Sequence, residues 1–202
     1  MKFLQASFAA VVALAFGAPA QAMPTPYATP GVESNVEYDF IAASTGDVVA
    51  YFVSSNAAYT NEIALLVNGS DTGIHGLNNH SSLYGDMLNF GSVKAGDRLV
   101  FKLVNLDPAN VGPFYSDRSM NGDGFNHIYA ARYNGDISIP AGIAVGFEDL
   151  PRGGDFDYND ENFVRVNVAH AREVPEPASI ALLLAGVAGI GASRRAKRAR
   201  QA

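Results

Sequence analysis

Short segments rich in β-branched and aromatic residues recur through the middle of the 202-residue chain. Several alternate apolar and polar side chains with a period of two, which is typical of strands. Turn-forming pairs such as Asn68-Gly69 and Asn134-Gly135 separate them. The pattern predicts strands at residues 36–41, 47–53, 62–67, 88–93, 98–104, 127–133, 137–139, 143–147 and 163–168, with loops at 74–86 and 107–124. Since no segment between the two ends has the period of a soluble helix, we predict an all-β domain, an antiparallel β-sandwich of jelly-roll-like type.

Residues 1–22 have the features of a secretory signal peptide. Lys2 gives a basic start, an apolar run follows, and Ala20 and Ala22 provide the small-residue pattern of a cleavage site. The apolar run is short for a membrane span. We therefore assign residues 23–173 to one exported domain, which is long enough to bury a sizeable core.

Residues 174–202 have the features of a second targeting segment. Pro175, Glu176 and Pro177 precede an apolar run at 178–192, slightly shorter than the about 20 residues that a spanning helix usually needs. Arginine and lysine follow the run at once, and such positive charge stays on the cytoplasmic side. The segment is predicted to be a transmembrane helix that anchors the domain to the membrane.

The predicted exported domain is more acidic than the whole chain. The chain has 14 basic and 20 acidic residues, for a net charge of −6. Six of the basic residues and one acidic residue lie in the two targeting segments, which leaves eight basic and 19 acidic residues, a charge of about −11. Such a surface repels nucleic acid and attracts cations. The chain has no cysteine, so a bound metal would be one way to crosslink the domain.

A dense group of acidic and amide side chains lies between the predicted strands at 143–147 and 163–168. Oxygen atoms at alternate positions can converge on one cation while the intervening aromatic residues point into the fold. Calcium takes about six to eight oxygen ligands, so this composition predicts a calcium site. The predicted ligands in the loop are Asp155, Asp157, Asn159 and Asp160.

The loop lacks the glycine and the terminal glutamate of an EF-hand, since these positions hold Asp160 and Val166. A further carboxylate must complete the coordination, and Glu148 and Asp149 at the end of the preceding strand are the nearest. Strand alternation suggests that one of the two turns inward. The alternative interpretation is a solvated hairpin turn, because aspartate and asparagine favour turns.

A second polar loop precedes the strand predicted at 127–133. Asn121 and Asp123 could complete the same cation site or form another one, and a simple glycine-rich turn explains them equally well. His127 could hydrogen-bond a ligating carboxylate. A structural role is the alternative for this histidine.

The C-terminal segment resembles a PEP-CTERM protein-sorting tail in its Val174-Pro175-Glu176-Pro177 sequence, apolar run and basic end. The resemblance implies an exported protein of a Gram-negative bacterium that is processed by an exosortase. It also implies association with an exopolysaccharide or biofilm matrix, at the cell surface or outside the cell.

The acidic loop resembles the signature of the DUF4114 family, a domain of unknown function in secreted bacterial surface proteins. The similar residues are Gly146 to Leu150, Gly153 to Asp160, and Phe163, with Asn121 to Gly124 and His127 upstream. The resemblance implies no activity. The calcium site is therefore an expectation from ligand chemistry alone.

We expect a non-enzymatic, calcium-stabilised domain with a structural or adhesive role among matrix components, and no nucleic-acid partner. One alternative is a lectin-like module that binds polysaccharide through exposed aromatic residues near the loop. Tyr158, Tyr115 and Phe114 are the candidates, and a place in the core is the alternative for them. Another is a glycoside hydrolase, which would need two acids spread across a cleft rather than crowded into one loop.

Overall fold

The computed structural model describes residues 24–107 and 112–171. The predicted signal peptide and the predicted transmembrane sorting tail, including Pro175, Glu176 and Pro177, lie outside these residues. Within the described ranges, no helix is long and apolar enough to cross a membrane.

The described residues form eleven strands and two short 3₁₀ turns, at Arg118–Met120 and Pro151–Gly153. The all-β class and the low helix content are confirmed in this part of the chain. The strands are β1 (Phe40–Ala42), β2 (Gly46–Ser55), β3 (Asn61–Val67), β4 (Ser70–Gly76), β5 (Met87–Val93), β6 (Arg98–Asn105), β7 (Phe114–Tyr115), β8 (Ile128–Tyr133), β9 (Gly142–Phe147), β10 (Glu161–Val166) and β11 (Val168–His170).

The strands pair antiparallel in two sheets. One sheet has the order β11-β1-β6-β3-β4, with β7 also paired to β6, and the other has the order β5-β2-β10-β9-β8. The predicted arrangement in two antiparallel sheets is thus confirmed, while its jelly-roll-like connectivity stays a prediction. The strands β9 and β10 are neighbours in sequence and in the sheet, so the acidic loop closes a hairpin, as predicted.

The main core contains the inward side chains of both sheets. Phe40 and Phe101 meet edge to face in the first sheet, and Phe52 meets Phe163 in the same way in the second. All four rings belong to one buried cluster. Because side chains alternate along a strand, Glu161 and Arg165 of β10 point the same way as Phe163, into the fold. Glu161, the first of them, is fully buried.

Three strand predictions were wrong in detail. The strand predicted at 36–41 begins only at Phe40. Residues 137–139 form no strand, because the Asp136 carboxylate accepts hydrogen bonds from the backbone of Ser138 and Ile139 and holds a turn. The strand predicted at 163–168 is interrupted at Asn167, whose φ of 65° is left-handed.

The strand β4 was missed because it is a largely exposed edge strand with little apolar content. The hydrophobic pattern predicts no element for its N-terminal half, and the loop predicted at 74–86 includes its C-terminal half. It pairs with β3, and Val67 opposite Ser70 begins the hairpin. Pairing to a strong neighbouring strand therefore creates a strand that the hydrophobic pattern alone does not indicate.

Candidate metal centre

The acidic loop folds back tightly onto the strand that precedes it. Phe147 at the end of β9 pairs with Glu161 at the start of β10. A Cβ added at Gly146 would lie 2.0 Å from the carbonyl oxygen of Tyr158, so only glycine permits this approach of the loop to β9. The loop therefore lies directly against β9 at Tyr158.

The loop backbone is repeatedly left-handed. Phe156 and Tyr158 have φ values of 52° and 55°, which are uncommon for aromatic residues, and Gly154 has 53°. Tyr158 is buried, and its hydroxyl accepts a hydrogen bond from the backbone N–H of Ser34 at 2.9 Å. Asp155, between Gly154 and Phe156, is exposed. The sequence predicts that the aromatic residues of the loop point into the fold while the acids do not. Tyr158 is buried and Asp155 is exposed, as this prediction requires.

Three carboxylates converge in this loop. Oxygen atoms of Glu148, Asp155 and Asp157 all lie within 4.8 Å of one another. Two oxygens on opposite sides of one calcium ion are separated by about twice the Ca–O distance, or about 4.6–5.2 Å. The three groups are thus close enough to share a single ion of this size.

The buried member of the group has an oxygen that nothing in the described chain satisfies. Glu148 is fully buried, and its Oε1 accepts a hydrogen bond from the backbone N–H of Tyr158. Its Oε2 is buried and has no hydrogen-bond partner among the described residues. A buried acceptor without a donor is unfavourable, and a cation at this position would satisfy it. The residues present therefore fit a hard divalent ion.

The electrostatics of the loop point the same way. Burial raises the pKa of Glu148 to about 8, and the nearby charges of Asp160, Asp155 and Asp157 add to the effect. Burial and the Asp155 charge also raise the pKa of Asp157. Among the described residues, no ion pair includes any of the three carboxylates of the group. Without a cation, the folded chain therefore holds the Glu148 and Asp157 carboxylates at a free-energy cost.

A model of the DUF4114 family, a domain of unknown function, matches residues 56–168. This match covers more than half of the 202-residue chain. The chain belongs to the DUF4114 family. The match includes the whole acidic loop and begins in the segment before β3. A search of curated proteins finds no match to this DUF4114 protein.

A model of the PEP-CTERM protein-sorting motif matches residues 173–198. This motif is the signal that an exosortase recognises, so the DUF4114 protein is exported and sorted to the cell envelope or surface. The resemblance of both regions noted in the sequence is confirmed.

Asn159 lies beside the three carboxylates. Its Nδ2 donates to the Asp157 carboxylate, and its backbone N–H donates to Asp157 Oδ1 at 3.1 Å. Its Oδ1 is buried without a hydrogen-bond partner among the described residues. The predicted ligand role of Asn159 stays a prediction, and its partnerless oxygen is consistent with that role.

Asp149 and Asp160 belong to a different group from Glu148. Asp149 Oδ2 accepts a hydrogen bond from Asn61 Nδ2 at 2.8 Å, and the Asp149 backbone N–H donates to Asp160 Oδ2 at 2.9 Å. Burial raises the pKa of Asp160 to about 7. Both Glu148 and Asp149 are buried, so the expectation that only one of them turns inward was wrong.

The second polar loop is held by bonds within the protein. Asn121 Oδ1 accepts from the backbone N–H of Tyr115 at 2.7 Å, and its Nδ2 donates to two backbone carbonyls. Asp123 Oδ2 lies 3.0 Å from His127 Nε2 and accepts from the backbone N–H of Arg152 at 2.7 Å. Asn121 and Asp123 thus have structural partners, and their role as ligands stays a prediction.

His127 connects this second loop to the acidic one. The imidazole is fully buried and stacks on Phe114 with ring centroids 3.9 Å apart. Its Nδ1 lies 3.1 Å from the backbone carbonyl oxygen of Glu148. It therefore contacts the Glu148 backbone and the Asp123 carboxylate. Since Asp123 is one of the possible ligands, the predicted support of a ligating carboxylate by His127 stays a prediction.

Two polar residues near the loop were not identified from the sequence. Glu161 is fully buried, and burial raises its pKa to about 9. Its position two residues before Phe163 is a signal that could have been used, since strand alternation places both on the inward face. Asn61 is also fully buried and donates to Asp149, but it is 88 residues away in sequence and no local pattern indicates the contact.

Proposed function

We propose that the DUF4114 domain of this exported protein is a non-enzymatic, calcium-stabilised module with a structural or adhesive role in the extracellular matrix. The proposal rests on the convergence of Asp155 and Asp157 on the buried Glu148 carboxylate, which has a partnerless oxygen. These are hard oxygen donors with a high charge density, which calcium prefers over softer ligands.

A bound ion would add a link between parts of the fold that already meet through hydrogen bonds and ring contacts. Glu148 directly follows β9, whereas Asp155 and Asp157 lie in the loop. The carbonyl oxygen of Asp155 also accepts a hydrogen bond from the backbone N–H of Gly31 at 2.9 Å, so the extended N-terminal segment is attached to the same loop. In a chain without cysteine, this ion would crosslink the loop to the end of β9, as a disulfide does in other exported proteins.

The experiment is a thermal melt of the full-length chain in mild detergent, with calcium and with a chelator. At a calcium concentration about a hundredfold above Kd, ligand linkage predicts a stabilisation of about 2.7 kcal/mol. The variant Asp157→Ala should lose this response. Asp39→Ala, which removes an exposed aspartate outside the loop, should keep it. An identical melting temperature in calcium and chelator for the wild-type chain would refute the proposal.

A specific groove favours the lectin-like module as a second candidate. It has a volume of about 270 Å³ and lies beside the acidic loop, and its lining includes the aromatic residues Tyr27 and Tyr129 and the polar residues Asp157 and Asn162. The two tyrosine rings are 5.1 Å apart. Aromatic faces next to carboxylate and amide groups suit a sugar ring, which has apolar faces and hydroxyl edges.

Of the three aromatic residues predicted for this role, Tyr158 lines the groove, whereas Tyr115 and Phe114 are not among its lining residues. Tyr158 and Phe114 are buried, so for these two the alternative interpretation as core residues holds. Tyr115 lies on β7 of the other sheet. The groove has one carboxylate among its lining residues, that of Asp157, whereas the hydrolase alternative needs two across a cleft.

Polysaccharide binding can be measured by retention of the full-length chain on immobilised exopolysaccharide. Tyr27→Ala and Tyr129→Ala should reduce retention, and Tyr115→Ala should not. Equal retention of all three variants would remove the groove as a binding site and leave the structural role as the proposed function.

A further inference from the structure

Residues 27–34, the N-terminal clasp, precede β1 and lie directly against the acidic loop. The Gly31 N–H donates to the backbone carbonyl oxygen of Asp155 at 2.9 Å, and the Ser34 N–H donates to the Tyr158 hydroxyl at 2.9 Å. The Tyr27 ring meets the Tyr158 ring edge to face, with the ring centroids 4.9 Å apart. The clasp therefore contacts loop residues both before and after Asp157 in sequence.

Tyr158 connects the clasp to the buried carboxylate. Its backbone N–H donates to Glu148 Oε1, while its hydroxyl accepts from Ser34 and donates to the carbonyl oxygen of Asn126 at 3.3 Å. The tyrosine is buried, so its ring has a fixed place between these partners. A change in the clasp would therefore reach the residue that contacts Glu148.

The clasp is also held from its other side, by the second polar loop. Glu33 Oε1 accepts from the backbone N–H of Asn126 at 2.8 Å and lies 3.1 Å from Arg118 Nη2. Asn126 Nδ2 donates to the carbonyl oxygen of Ser34 at 2.9 Å. The clasp is thus attached to the fold independently of the acidic loop and can act as a support for it.

The acidic loop needs such support because its backbone is in an unfavourable conformation. Phe156 and Tyr158 have left-handed φ values of 52° and 55°, which are sterically disfavoured for residues with a Cβ. Backbone of this kind persists where the surrounding contacts fix it. Phe156 lies between Asp155 and Asp157, so the conformation of this stretch decides whether their carboxylates converge with that of Glu148.

We propose that the N-terminal clasp positions the acidic loop and thereby regulates the affinity with which Glu148, Asp155 and Asp157 bind calcium. The inference rests on the proposed calcium site. With the clasp closed, the three carboxylates converge, whereas with the clasp released the loop relaxes to ordinary backbone conformations in which they do not. The observed Kd is then the intrinsic Kd divided by the fraction of chains with a closed clasp. Because such coupling is reciprocal, calcium also stabilises the closed clasp.

The first measurement is the calcium Kd of the full-length chain in mild detergent, by calorimetric titration well below the melting temperature. Tyr158→Phe removes the hydroxyl that the clasp contacts, and Tyr27→Ala removes the ring that contacts Tyr158 from the clasp. Each should weaken calcium binding by about fivefold or more, the lower end of typical couplings between sites. Tyr133→Phe removes a hydroxyl of another buried tyrosine, bonded to Tyr84, and should keep the wild-type Kd.

The second measurement is hydrogen exchange of single backbone amides in the wild-type chain. Calcium should slow the exchange of the Gly31 and Ser34 amides, because both donate to the acidic loop. The Lys94 amide, which donates to Asp97 in the turn between β5 and β6, is the internal control and should exchange at the same rate with and without calcium.

The outcomes separate this inference from the proposed function. A wild-type Kd in both Tyr158→Phe and Tyr27→Ala would overturn the clasp and leave the calcium site standing, even if both variants melt at a lower temperature in chelator, since a purely structural role lowers stability alone. Equal exchange of Gly31 and Ser34 with and without calcium would also overturn it. No calcium binding by the wild-type chain would overturn the clasp and the proposed function together.

Discussion

The substitution Glu148→Gln tests whether the buried carboxylate is a cost that calcium relieves. The pKa of Glu148 is about 8 in the folded chain, against an ordinary value of 4.5. At pH 7 the unfolded chain ionises this group freely, whereas the folded chain keeps it largely protonated. As the pH rises from 4.5 to 7, the raised pKa of Glu148 therefore lowers the free energy of unfolding by about 3 kcal/mol.

Glutamine removes this cost and keeps the shape. Its amide oxygen can still accept from the Tyr158 backbone, and its N–H groups face the acids at Asp155 and Asp157. In chelator at pH 7, Glu148→Gln should therefore raise the free energy of unfolding by up to about 3 kcal/mol. For a chain of this length, that is a rise in melting temperature of up to about 6–12 °C.

Calcium should remove the stability advantage of Glu148→Gln. Wild-type stability should increase steadily with calcium, because the ion pairs with the ionised Glu148, whereas the variant has lost one negative ligand and should respond weakly. The difference between the two melting temperatures should therefore close as calcium rises. The assay is a thermal melt monitored by circular dichroism at several calcium concentrations.

The control is Glu37→Gln, which removes an exposed carboxylate outside the loop and should change stability by less than about 0.5 kcal/mol. A lower melting temperature for Glu148→Gln in chelator would show that the carboxylate is already satisfied by the protein. That result would refute the argument from burial.

Three further predictions follow from the same structure. Because the folded pKa of Glu148 lies above its unfolded value, the metal-free chain should lose stability as the pH rises from about 4.5 to about 8, and saturating calcium should flatten this slope in pH-dependent melts. Gly146→Ala places a Cβ 2.0 Å from a loop carbonyl oxygen, so it should destabilise the chain by about 1–3 kcal/mol and weaken the calcium binding that calorimetry measures. Gly122→Ala, with open space around the added Cβ, should change neither stability nor calcium binding. Arg165→Met should raise the melting temperature, because the buried guanidinium loses several kcal/mol of hydration and makes no hydrogen bond among the described residues. The Phe101 ring at 3.9 Å returns about 2 kcal/mol, and the Phe147 and Phe163 rings lie farther away, at 5.5 and 5.8 Å. A clear loss of stability would contradict this prediction.

The fold could be predicted where burial imposes a period on the sequence. The segments that became β2, β6 and β9 carry enough apolar residues on their inward faces for alternation to show. The edge strand β4 has no such face, and its pairing depends on β3. Local hydrogen bonding decided the other misses, as at Asn167, whose side chain accepts from the Ser44 backbone at 2.8 Å and ends β10.

The candidate site could likewise be predicted only where its residues are close in sequence. Asp155 and Asp157 are close in sequence, and composition was enough to place them together with Glu148 across a short hairpin. The partition of Glu148 and Asp149 into two groups could not be predicted, because it depends on Asn61, which the sheet topology brings in from a distant strand. A sequence without an alignment contains no signal for such a contact.

The most direct test of the central claim is a crystal structure of the domain grown in calcium. We predict an ion between Glu148, Asp155 and Asp157, with Glu148 Oε2 and both aspartate carboxylates about 2.3–2.6 Å from it. A structure at saturating calcium in which these oxygens contact only water or protein donors would contradict the account.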